Sequence, residues 1–95
     1  MKPEIEKCLK MAQDASDEYI TAYTRWYERN LAWEMQVVAT MTDGRTAQDA
    51  WYLASTRSCG REALALLRSS DIDKEKARYT LKLALCTLRA TIDLK

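Results

Sequence analysis

Cys8, Cys59 and Cys86 are the three thiols of this 95-residue chain, and no histidine stands anywhere to activate them. The missing imidazole removes the commonest general base, the usual partner of a serine or cysteine nucleophile, and the commonest zinc ligand. Carboxylate-bridged di-iron bundles need Glu-x-x-His pairs, which cannot be built here. The cysteines lack CxxC spacing and each falls on an apolar helical stripe, so they read as small core residues. Gly44 and Gly60 are the only glycines, too few for a phosphate-cradling loop. Acidic side chains are plentiful but form no inward-facing pair; Glu34 alone approaches an apolar stripe. The expectation is a chain that is not an enzyme and takes neither cofactor nor metal.

What remains is the chemistry of surfaces. Trp51 stands near the aligned Arg57, Arg61 and Arg68, a composition that protein-interface hot spots favour, although a tryptophan there can also simply cover the end of a bundle. The stretch "TAYTRWYERNLAWEM" at 21–35 concentrates two tryptophans and two tyrosines. Tyr23, Trp26, Tyr27 and Trp33 share the spacing of the aliphatic residues around them, which points to core packing or a protein contact. A platform for stacked bases would more often lie among Arg and Lys on the polar side. Asn30 and Glu34 interrupt that stripe, either as boundary residues reaching water or as a polar pair that sets helix register.

The elements that must carry these residues are helices. Two glycines and one proline are far fewer than a strand-and-turn protein needs. Helix 1 starts near Pro3, whose fixed φ suits a first helical position, with Glu4 and Glu6 at its positive end. Its apolar stripe keeps direction from Ile5 to Met41, so the helix would be roughly 55 Å long. "TDGRT" at 42–46 is a turn, with Gly44 suited to the left-handed residue that ends a helix. Helix 2 covers about 46–69, with Thr46 as N-cap and Asp49 three residues on. Its core sector holds Tyr52, Leu53, Thr56, Cys59, Gly60, Ala63, Leu64, Leu66 and Leu67. Gly60 costs about 1 kcal/mol of helix propensity relative to alanine, a cost that close approach of a neighbouring helix would offset. "SSDID" at 69–73 reads as a second break, capping a helix 3 over about 72–94.

Helix 3 carries two apolar stripes on nearly opposite sides. One reads Ala77, Leu81, Ala84, Leu85, Leu88 and Ile92; the other reads Ile72, Tyr79, Leu83, Cys86, Ala90 and Leu94. A helix apolar on two sides must bury both or leave a greasy strip in water. The fold class predicted is all-α: one domain over 1–95, an antiparallel three-helix bundle with a long first helix, with a helical dimer as the way to cover the surplus. Helix 1 would overhang the two shorter helices and carry Trp33 on the overhang.

Charge is unevenly shared. Residues 1–43 hold five basic and eight acidic groups, a net of −3, and residues 44–95 hold ten basic and six acidic, a net of +4. Packed helices that complement one another explain such a split, as does a basic face for an acidic partner. No apolar run approaches bilayer length, the amino terminus lacks the apolar middle of a secretion signal, and three spread cysteines suit a reducing cytoplasm.

The function expected is a protein–protein interaction module: an adaptor, a regulatory subunit or a small inhibitor that occludes a larger machine. Trp33, Trp51, Arg57, Arg61, Tyr79 and Leu83 are its candidate contact residues, with another protein or a second copy as partner. The competing expectation is a small nucleic-acid binder. It would use Arg57, Arg61, Arg68, Lys74, Arg78 and Lys82, with the 69–73 turn forced into a helix-turn-helix. Net charge of +1 and acidic residues within every basic cluster weigh against it.

Overall fold

The computed structural model describes residues 2–41 and 45–94, and among these every regular element is helical. In chain order they are α1 (Pro3–Thr40), α2 (Ala47–Thr56) and α3 (Ser58–Asp93). The first helix begins at the expected proline and ends within a residue of the expected limit. The expected helix-ending role of Gly44 lies outside the described residues.

The second break is where the sequence reading errs. Residues 69–73 are not a turn but lie inside α3. Serines and aspartates permit a cap without compelling one. Here the Ser70 hydroxyl donates back to the Leu66 carbonyl at 2.8 Å, and its oxygen accepts from Arg29 Nη1, so the helix continues through it. The chain instead breaks at Arg57, whose φ of −77° and ψ of 147° are extended. Thr56 and Ser55 hydroxyls take the Leu53 and Tyr52 carbonyls, and the Arg57 carbonyl receives the first hydrogen bond of α3 from Arg61 N. With α3 at 36 residues against 38 for α1, the length mismatch from which an overhang of helix 1 was expected is absent.

Gly60 is what this corner requires. A Cβ built on it would stand 1.7 Å from the carbonyl oxygen of Ala54, so the backbone of α2 occupies the space of a side chain. The close approach expected of Gly60 is therefore real, but the neighbour is α2 itself and not a bulky residue of helix 1.

The chain groups into two compact units: a terminal unit of Met1–Tyr23 with Asp73–Lys95, and a central unit of Thr24–Ile72. The terminal unit buries Ala12, Ala15 and Ala84, with Leu81 and Leu88 packed against them. Small side chains let helix backbones approach closely but remove little apolar area from water. Cys8 Sγ lies 3.5 Å from Thr91 Oγ1, and the Lys74 ammonium stands 6.0 Å over the Tyr23 ring.

The central unit is built differently. Trp33 is 4 % exposed, and its ring meets Trp51 edge to face at 5.4 Å and 82°. Buried Thr40 places its hydroxyl 2.8 Å from the carbonyl oxygens of both Val37 and Ala50, tying the end of α1 to α2. Arg45 Nη1 donates to the Thr40 carbonyl at 2.6 Å, a cation on the negative end of α1. Thr46 caps α2 as expected, accepting from Asp49 N at 3.1 Å.

Candidate interaction surface

No metal site offers itself among the described residues. No group of three or more acidic or cysteine side chains converges to hold an ion. A groove in the central unit, lined by Arg29, Ala32, Cys59, Glu62, Ala63 and Leu66, measures about 190 Å³. Ligand pockets are typically larger, at roughly 300–1,000 Å³. The cysteines do not form the expected core: Cys8 is half-buried, while Cys59 and Cys86 are exposed. Their phase was derived from helices taken as uninterrupted, and the bend at Arg57 resets it for Cys59. For the same reason Tyr52, placed in the helix 2 core, is 70 % exposed, and α2 buries Ala50 and Ala54 instead.

The apolar side chains that remain outside define the surface. Among the described residues the buried apolar set is six alanines and Trp33, whereas eighteen larger apolar side chains are exposed. On α3 the two stripes separate only in part, since Leu85 and Ile92 of the first are each 50 % exposed. Leu81, Ala84 and Leu88 turn toward the alanine core of the terminal unit, while Tyr79, Leu83, Cys86 and Ala90 remain exposed. Leu83 is 69 % exposed.

This strip has a basic border. Lys76 and Lys82 flank it and are exposed, while the nearby carboxylates are engaged along the helix, Glu75 by Arg78 at 2.9 Å and Asp93 by Arg89 at 3.9 Å. The hydrogen bond to Glu75, followed by its charge, holds the Arg78 guanidinium above its ordinary pKa. The same guanidinium lies 5.2 Å from the Tyr79 ring centroid.

The other candidate residues scatter. Trp33 is buried and supports Trp51, which remains 42 % exposed, so Trp33 presents no outward face. Arg57, Arg61 and Arg68 are all exposed. Arg57 is itself the bend, so the single flank that an unbroken helix would give Trp51 and these arginines is lost. Of the nucleic-acid set, Lys74 faces Tyr23 and Arg78 faces Glu75 and Tyr79. With 69–73 helical, the helix-turn-helix geometry is absent.

A second strip escaped the sequence reading. Tyr27, Leu31, Met35 and Val38 on α1 are all exposed, with the exposed Glu28 and Glu34 beside them. Their spacing of four, four and three residues marks one helix flank. The apolar sector of α1 is broad and takes in Tyr27, Val38 and the buried Trp33 alike, so spacing alone does not separate the exposed flank from the inward one. Asn30 and Glu34 pair with each other along this flank at 3.4 Å.

No helix among the described residues is long and apolar enough to cross a membrane. Comparison of the chain with protein families, with curated proteins and with solved structures finds no match.

Proposed function

We propose that this chain is a non-enzymatic protein-interaction module (an adaptor, a regulatory subunit or a small inhibitor occluding a larger protein machine) that binds through apolar helix faces bordered by charge. The observation that carries this reading is Trp51, which is braced edge-on by a buried tryptophan yet 42 % exposed. A ring fixed before binding loses little conformational freedom on contact, which is what an interface anchor needs. Tyr52 beside it extends the aromatic surface. The absence of histidine from the sequence supports the non-enzymatic part of the reading. Three free thiols suit a cytoplasmic setting. Antiparallel helix packing and self-association belong to the same reading. Cys8 meets Thr91 while Tyr23 meets Lys74, an order of pairing that supports opposite helix directions in the terminal unit.

The test is affinity capture with the whole chain, identification of what binds, and reconstitution from purified components. Tyr52→Ala, at an exposed position, is expected to weaken the reconstituted complex about tenfold or more. Retention on nucleic acid that falls steeply with salt and depends on Arg57, Arg61 and Arg68 would replace this reading with the other.

A further inference from the structure

Two exposed strips in this chain match in length and oppose in charge. Tyr79, Leu83, Cys86 and Ala90 on α3 cover three helical turns, bordered by Lys76 and Lys82. Tyr27, Leu31, Met35 and Val38 on α1 cover the same length, bordered by Glu28 and Glu34. We propose that the α3 strip of one copy seats on the α1 strip of a second copy, with the lysine border of one against the glutamate border of the other. This rests on the reading that charge-bordered apolar faces are the binding surfaces of the protein, and it names one occupant for two of them.

The physical case is one of complementarity and need. A strip whose residues recur every three or four positions is the seam along which one helix packs on another. Leu83 and Met35 are each 69 % exposed, so each strip holds a large side chain that lies mostly open among the described residues. Like strips would bring lysine against lysine or glutamate against glutamate, which costs energy, whereas unlike strips bring opposite charges together at the rim. The terminal unit, whose buried set is alanine, gains most from a second layer. When both copies exchange strips reciprocally a closed dimer results; when only one pair forms, the association propagates. Both raise the solution mass above the 11.0 kDa of one chain.

The experiment measures the mass of the whole chain by sedimentation across a concentration series, for the wild type, Leu83→Asp, Met35→Asp and an equimolar mixture of the two variants. Both substitutions replace exposed side chains, and circular dichroism checks that helix content is kept. The wild type is expected to associate, and each variant alone to associate at least tenfold more weakly. The mixture should regain association, because the intact α1 strip of one variant still meets the intact α3 strip of the other. That recovery also shows both variants to be folded. A wild type that stays monomeric throughout overturns the proposal. So does loss in Leu83→Asp without loss in Met35→Asp, or a mixture that fails to recover. A monomer that still binds a partner through Trp51 and Tyr52 leaves the interaction-module reading standing while removing self-pairing; an associating chain that binds nothing else does the reverse.

Discussion

The terminal and central units solve the same problem with different side chains. The terminal unit brings α1 and α3 together over alanines, with half-buried leucines at the edge. The central unit encloses a tryptophan, threads two buried hydroxyls onto backbone carbonyls and fits a glycine against the turn of α2. Alanine contacts are tolerant: they set a distance between helices but fix register weakly, because a methyl group has no direction. An edge-to-face ring pair and a hydroxyl with two carbonyl neighbours each have one good geometry. The central unit therefore fixes its own arrangement more tightly than the terminal unit does. All three tryptophans, Trp26, Trp33 and Trp51, lie in the central unit, so indole fluorescence reports that unit alone and circular dichroism reports both.

That optical separation lets the contrast be attacked directly. The largest effect is expected from Trp33→Ala, which removes the one large apolar side chain buried among the described residues and should cost about 4 kcal/mol in denaturant unfolding. A loss below about 1 kcal/mol would mean that the ring pair is not what holds the central unit. Next is Gly60→Ala, expected to cost about 3 kcal/mol because the new methyl meets a backbone carbonyl that cannot swing away. Should its melting match the wild type, α2 and α3 do not meet as closely as described. Smallest is Ala84→Leu in the terminal unit, at about 2 kcal/mol from overpacking between α1 and α3. A neutral or stabilising result there would show room in the alanine core, sharpening the contrast further. In this last variant the loss should register in circular dichroism before it registers in tryptophan fluorescence, the sign that the two units do not melt as one.

Much of this was legible in the chain. Pro3 with two glutamates placed the start of α1, Thr46 placed the start of α2, and the opposed stripes of α3 showed that its apolar residues lie on two sides. These are local properties, set by φ restriction, capping hydrogen bonds and the 3.6-residue period. The errors share one origin. Ser69, Ser70 and Asp71 are good caps in isolation, but Arg29 reaches Ser70 from another helix and removes the incentive to stop. Thr56-Arg57-Ser58 has no glycine or proline to announce a bend, and Gly60, three residues later, makes sense only once the Ala54 carbonyl is seen against it. Misplacing that bend put Tyr52 and Cys59 on the wrong face.

By itself, then, the amino-acid order determined the helical class, the two faces of the last helix and the absence of imidazole chemistry, because each depends only on residue type and near-neighbour spacing. Where α2 ends, that Trp33 is enclosed beneath Trp51, and that α1 exposes an acidic-bordered strip were decided by contacts between residues far apart in sequence. Such contacts override local propensity because a buried ring, or a buried hydroxyl given its partner, outweighs the few tenths of a kcal/mol by which one backbone conformation is locally preferred over another.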